Sequence, residues 1–451
     1  MRNESKTVIT IISALINLAA HSSLLPTSTL QILFLSPAAG LGGAERALLE
    51  MVASLHEQYP RCQITVILGD RGALAKKLHA LDASTLLVPF PKALALIGDA
   101  GAGGPAGAGV GHWHVVLRLA GAAPLIAGYL HRLSDVISSV APDVIHSNGF
   151  KMHLLGTWAA PHHTPVIWHL HDFVSLRPLM PRLLKLALHR CAGIIANSHS
   201  VVRDLAATLV RVPAVHTVYN AVDLNNFTPE GRRLDLDGLA GMKPAAAGVL
   251  RVGLVATMAR WKGHEVFLRA LALLPAERIR GYVIGGPIYC TAGSQYSLAE
   301  LRRMASALHL DGRVGFTGFV NDSAAAIRAL DILVHASVAP EPFGLTVAEA
   351  FACGRAVVAS RGGGILEIIR ENQNALAHRP GDAHELAAAL ARLIEHPGLR
   401  RMLGTAARKT AEISFTRKRL AGDLMRVYRI ITAGSNRSSD LTEAYYQAAL
   451  N

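Results

Sequence analysis

Short apolar runs alternate with helix-length amphipathic stretches from Gln31 onward, and the alternation breaks off and restarts once, near residue 249. A chain patterned this way builds parallel sheets flanked by helices, because a parallel connection needs a crossover long enough to hold a helix. The first set of predicted strands is QILFLS (31–36), QITVIL (63–68), STLLVPF (84–90), DVIHSN (143–148), PVIWHLH (165–171) and GIIANS (193–198). The second is VLRVGLVAT (249–257), GYVIGG (281–286), RVGFTG (313–318), DILVHAS (331–337) and AVVAS (356–360). A stretch rich in Asp, Gly and Pro separates them and reads as a linker over 223–248. At 451 residues the chain is too long for one ordinary core. The expected fold class is therefore α/β, with two doubly wound domains over 31–222 and 249–414. Ligands of such sheets bind outside the carboxyl ends of the strands, which points to the cleft between the domains.

Four further segments complete the outline. Residues 415–432 form a basic amphipathic pattern, expected to be a helix packing back on the first domain, and 433–451 read as a frayed tail. The stretch GDAGAGGPAGAGVGH (98–112) has too much glycine to hold a helix or strand and reads as a mobile loop. Residues 1–30 carry a basic end and an apolar run from Val8 to Ala20, too short to span a bilayer, and read as an extension or weak anchor.

The formal charge of +13 raises the question of nucleic acid, so its distribution matters. Residues 1–222 hold 17 Lys/Arg against 11 Asp/Glu, and residues 223–451 hold 28 against 21. Charge spread this evenly, with aromatics at only 5%, argues against a nucleic-acid partner. Phosphorylated small molecules, or an anionic membrane surface, account for the excess. Cys62, Cys191, Cys290 and Cys353 lie far apart, which argues against a zinc site or a disulfide framework and fits a reducing cytoplasm.

Four motifs sit where predicted strands end. In SPAAGLGGAERALLEMVASL (36–55), Gly42 and Gly43 precede a helix; the turn is either a plain tight turn or a phosphate or sugar contact. Ala47 replaces the third glycine of a dinucleotide-binding Gly-x-Gly-x-x-Gly. In ATMARWKGHEVFLRAL (256–271), Arg260 and Lys262 are either solvated surface charges or a diphosphate grip. In EPFGLTVAEA (341–350), Thr346 and Glu349 have capping-box spacing, while the amides of Phe343, Gly344, Leu345 and Thr346 face the cleft edge. Glu349 then either caps its own helix or meets ligand hydroxyls. Glu341, held extended before Pro342, reads as a ligand-facing carboxylate. The run SRGGGILEII (360–369), with Gly363, repeats the arrangement. Among 21 histidines, His146, His169 and His335 fall in predicted strands and read as satisfied core residues; His171 ends its strand and reads as a site residue.

With these residues in place the chain resembles the retaining, nucleotide-sugar-dependent glycosyltransferases that have two Rossmann-like domains facing a cleft (the GT-B fold), specifically the family 4 group. The resemblance rests on RWKGHE (260–265), VIGGP (283–287), VGFTGFVND (314–322), EPFGLTVAEAFACGRAVVAS (341–360) and GGILEII (363–369), and in the first half on GGAE (42–45), DVIHSN (143–148), HLHDF (169–173), ANS (196–198) and YNAVDLNNF (219–227). It implies that Glu341 holds hydroxyls of the transferred sugar, that Glu349 holds the ribose, and that Lys262 neutralises the departing diphosphate. It also implies that the amides at 343–346 and the Gly42-Gly43 loop help bind the donor, and that His171 lies near the anomeric carbon. The implied substrate is a UDP-, GDP- or ADP-sugar, with a saccharide or lipid-linked acceptor and no metal or organic cofactor. A peripheral place at the inner face of the membrane fits that chemistry. A nucleotide-sugar epimerase, a phosphorylase or a non-catalytic carbohydrate-binding protein on the same fold are the alternatives. Two positions depart from the family pattern: Thr257 stands where an arginine is usual, leaving Arg260 as the expected substitute, and Asn220-Ala221 replaces Asn-Gly.

Overall fold

The computed structural model describes residues 30–91, 123–177, 179–287 and 293–433. The 98–112 loop, the extension before Leu30 and the tail after Ala433 lie outside the described residues. The first sheet comprises β1 (Gln31–Ser36), β2 (Gln63–Leu68), β3 (Ser84–Leu87), β4 (Val144–Asn148), β5 (Val166–Leu170), β6 (Cys191–Ala196) and β7 (Val215–Thr217), in the order β3-β2-β1-β4-β5-β6-β7. The second comprises β8 (Leu250–Val255), β9 (Ile279–Ile284), β10 (Val314–Gly318), β11 (Ile332–His335), β12 (Ala356–Ser360) and β13 (Leu376–His378), in the order β10-β9-β8-β11-β12-β13.

Every pairing within the two sheets is parallel, and both faces of each sheet are covered. That coverage explains why β1 and β12 read as unbroken apolar runs rather than alternating ones. Strand order reverses between β1 and β4 and between β8 and β11, so each sheet opens a crevice at its carboxyl edge there. The register pairs Leu254 with Val334, which brings the loops following β8 and β11 side by side.

The helices that position the site are α1 (Gly43–Gln58), α2 (Phe150–Ala159), α3 (His199–Thr208), α4 (Leu236–Leu239), α5 (His264–Ala272), α6 (Leu298–Ala307), α7 (Leu345–Ala352), α8 (Ile365–Ile368), α9 (Pro397–Ser414) and α10 (Arg417–Thr432). Helix α10 buries Leu420, Leu424, Met425 and Tyr428 against α1 and the first sheet. It restarts cleanly after α9 because Thr416 caps it, accepting from the Arg419 amide. No helix among the described residues is long and apolar enough to cross a membrane.

The stretch 223–248, expected as the linker, runs as a strap that packs on the second domain through α4. Asp237, on α4, is buried and accepts from Arg280 Nη1 at 2.6 Å, Tyr282 Oη at 2.7 Å and Arg251 Nη2 at 3.2 Å. A carboxylate so satisfied anchors the strap to β8 and β9.

Candidate functional site

The second sheet places two loops at its crevice. After β8 the chain makes one 3-10 turn, Arg260–Lys262, closed by Gly263 at φ +74°. A Cβ at Gly263 would lie 1.8 Å from the Ala336 carbonyl oxygen, so only glycine lets this turn sit against the end of β11. Lys262 Nζ is thereby held 2.9 Å from Oε1 and 2.8 Å from Oε2 of Glu341, and 3.9 Å from the centroid of the Trp261 ring. Glu341 Oε2 also accepts from Ser337 Oγ at 3.1 Å and His335 Nε2 at 3.3 Å. Burial pushes the Glu341 carboxyl upward, but Lys262 and His335 overcome it and hold the group well below the usual carboxylate range. Glu341 is therefore an ionised, pre-oriented acceptor at neutral pH.

The backbone of Glu341 is fixed by the glycine run that follows β12. Glu341 forms a parallel bridge with Gly363, and the Gly364 amide donates to the Glu341 carbonyl at 2.7 Å. Gly363 has φ +67°, and a Cβ there would lie 2.2 Å from that same carbonyl oxygen. The two glycine-containing motifs are thus one unit, and the second supports the first.

Of the two readings of Glu349, the capping box with Thr346 does not form. Gly344, in the left-handed region, is the N-cap of α7, so the helix starts at Leu345 and Thr346 falls inside its first turn. Glu349 is instead carried past the cap and across the cleft, where Oε1 accepts from Arg46 Nη2 of α1. Oε2 has no hydrogen-bond partner among the described residues, and the side chain is buried. Burial pushes this carboxyl up to about 7; Arg46 opposes the shift and Glu50 adds to it. Phe343 is buried beneath the turn, and its ring centroid lies 6.0 Å from that of Tyr219.

On the facing domain, Gly42 is the extended N-cap of α1 and Gly43 its first residue. The Glu45 carboxyl folds over that start against the Gly42 amide and its own, and burial raises it. His171 directly follows β5. Its ring stacks on His169 at 4.0 Å between centroids, and burial pushes it down to about 3, so it is neutral. Both of its ring nitrogens are buried without a partner among the described residues. His169 and His146 do take the satisfied roles expected of them in part: His146 lies between His169 Nδ1, at 3.0 Å, and Tyr428 Oη, at 2.8 Å, though His169 Nε2 has no partner among the described residues.

Two expectations need correction. Arg260 does not join Lys262, because Glu300 binds its Nη2 at 2.9 Å, Gly293 accepts from its Nε at 3.0 Å, and its guanidinium lies 4.3 Å from the centre of the Tyr296 ring. Its charge is committed toward α6. His335, read as an ordinary core residue, is buried but bonds Glu341 directly, and Ser360 Oγ lies 3.3 Å from its Nδ1. The predicted strand runs on to Ser337 and hides His335 in its interior, whereas β11 ends at His335 and so leaves its ring at the crevice. Sequence reasoning also passed over Arg46, Ser337 and Glu367. Glu367 of α8 accepts from the His199 and Ser200 amides at the start of α3, both at 2.8 Å, and from Tyr219 Oη at 3.0 Å, tying the domains together. In the Asp-x-Asp triplet Asp235-Leu236-Asp237, Asp235 caps α4 and Asp237 anchors the strap, so both are structural. No cluster of His, Cys, Asp and Glu suited to a metal ion occurs among the described residues.

The two halves of the chain each match a family model. Residues 41–226 match Glycosyltransferase Family 4, and residues 247–410 match Glycosyl transferases group 1. A D-inositol 3-phosphate glycosyltransferase 2 of Catenulispora acidiphila is 35% identical over 219 residues, 45% of this chain and 48% of that protein. The lipopolysaccharide core biosynthesis glycosyltransferase LpsE of Rhizobium meliloti is 29% identical over 43% of this chain and 54% of its own length. The chain thus spans about half the length of the curated relatives it matches. The crystal structure of Anabaena HepE in complex with UDP and glucose superposes with a TM-score of 0.71, at 24% identity, over 88% of this chain and 99% of that one. Each half is thus matched by a glycosyltransferase family model, and the chain as a whole has the two-domain α/β fold of solved GT-B glycosyltransferase structures.

Proposed function

We propose that this protein transfers a sugar, most simply a hexose, from a nucleotide-diphosphate sugar to an acceptor hydroxyl with retention of anomeric configuration. The observation that carries this reading is the Lys262–Glu341 pair at the switch point of the second sheet. A carboxylate and an ammonium held together at a strand-end crevice match a ligand that offers hydroxyls and phosphate side by side. Glu341 would accept from the sugar hydroxyls, and Glu349 from the ribose. Charge growing on the departing diphosphate would fall to Lys262 and to the free amides at the start of α7. His171, neutral and with idle ring nitrogens, would face the reacting sugar from the first domain. Retention would follow from attack on the face the diphosphate leaves, with that phosphate taking the acceptor's proton. No step draws on a metal or an organic cofactor.

UDP-glucose is the first donor to try, because the Anabaena structure holds UDP and glucose. The relatives' names suggest polyhydroxylated acceptors, so a saccharide or lipid-linked saccharide is proposed, with assembly of a polysaccharide or glycolipid at the inner face of a membrane. The test is to incubate the protein with UDP-, GDP- and ADP-hexoses, with and without such acceptors, following nucleoside diphosphate release and the product's anomeric proton by NMR. Release that needs an acceptor and an α-linked product from an α-linked donor are expected. Conversion of the donor alone, or inversion, would overturn the assignment.

A further inference from the structure

We propose that Arg46 is a donor-contacting residue, whose guanidinium passes from Glu349 to the donor's diphosphate when the ribose takes Glu349. This rests on reading the cleft as a nucleotide-sugar site. Arg46 lies in the first turn of α1, the helix end that carries positive partial charge, so its cation gains nothing from its own helix. Its partner belongs to the opposite domain. The pair is also uneven: the Arg46 side chain is 32% exposed, whereas that of Glu349 is 3% exposed and uses one oxygen. The other, Oε2, is buried with no partner among the described residues. A vicinal diol donates two hydroxyls at about the spacing of two carboxylate oxygens, so a ribose satisfies Glu349 more fully than Arg46 does.

Once displaced, Arg46 has few acids left on its own helix. Glu50, one turn on, is already held by Arg417 at 2.7 Å and 3.2 Å. Glu45 lies over the amides of the helix start. The second domain supplies little free charge for an incoming diphosphate: Lys262 is shared with both oxygens of Glu341, and Arg260 is bound to Glu300. Thr257, in the loop between β8 and Lys262, offers a buried hydroxyl without a partner among the described residues, which is a neutral donor and no counter-charge. A second cation for the diphosphate, beside the shared Lys262, therefore comes from across the cleft, and donor binding draws the domains together.

Isothermal titration of the full chain separates the cases, using whichever of UDP, GDP and ADP binds it and the matching nucleoside. Arg46→Gln is expected to weaken diphosphate binding about tenfold, as loss of a charge-assisted phosphate contact does. Nucleoside binding should stay level or tighten, since nothing then competes for Glu349. Arg46→Lys keeps the charge and should recover part of the diphosphate affinity; it is also the variant to read if Arg46→Gln melts early. Equal change for nucleoside and diphosphate would overturn the proposal and leave Arg46 as a structural partner of Glu349. A parent chain that binds none of the three diphosphates would instead remove the nucleotide-sugar reading, and this proposal with it.

Discussion

Glu341 and Glu349 stand eight positions apart on one motif, yet they occupy opposite electrostatic states. Glu341 is paired within its own domain by Lys262, His335 and Ser337, and is held ionised. Glu349 is buried with a single partner from the other domain, and burial drives it toward neutrality near pH 7. The difference lies in when each environment forms. Folding of the second domain alone assembles the first carboxylate, whereas the second waits for the domains to meet. A site divided in this way holds one carboxylate ready within its own domain and engages the other with Arg46 across the cleft.

The largest expected effect breaks the first member of the pair. Glu341→Gln keeps the shape and removes the charge, and should lower the turnover rate by roughly 10³-fold, as removal of one preorganised transition-state contact does. Steady-state kinetics with saturating donor would read it. The second effect concerns the lysine that makes Glu341 unlike Glu349. Lys262→Ala should weaken nucleoside diphosphate binding about tenfold more than nucleoside binding. Equal losses in titration calorimetry would remove the phosphate role.

Thermal melts sharpen the comparison through its sign. Glu349 titrates at about 7 when folded against an ordinary 4.5, so between those values the folded chain binds more protons than the unfolded one. Its burial therefore costs stability as pH rises through that window, and the cost persists above it. Glu349→Gln should melt higher than the parent at pH 8 and nearly level with it at pH 4. For Glu341 the folded value is depressed, so its contribution is present above 4.5 and lost only as pH falls through the lower folded value. Glu341→Gln should melt lower at pH 8. Shifts of the same sign for the two variants would dissolve the distinction between them. The smallest effect is expected at the other interdomain tie: Glu367→Gln should cost about 1 to 2 kcal/mol in denaturant unfolding, through weakened bonds to the start of α3.

The same division marks what the sequence made legible. β1, β2 and β12 have the predicted ends, because buried parallel strands are continuous apolar runs bounded by Gly, Pro or polar residues. β7 and β13 have three residues each, too few to show a period, and were not expected. Lys262 and Glu341 were legible because short-range constraints place them: a glycine-closed turn and a proline-held extended segment, each just past a strand. Arg46 and Glu367 were not, since each acts on a partner far along the chain and on the other domain, and no local pattern announces that. The capping-box reading of Glu349 failed for a related reason. Spacing alone suggests the box, but the left-handed Gly344 sets the helix start two residues earlier. Arg260 was misplaced because Glu300, its partner, sits 40 residues further on.

Donor protection against thermal unfolding probes the interdomain grip most directly. A panel of UDP-, GDP- and ADP-sugars is titrated against the parent chain and against Lys262→Ala, and the melting temperature is followed. At least one nucleotide sugar should raise the parent's melting temperature in a saturable way, while Lys262→Ala should need about tenfold more of it for the same rise. Equal protection of both chains would contradict a diphosphate site built on Lys262 and Glu341, and protection of neither would contradict a nucleotide-sugar site altogether.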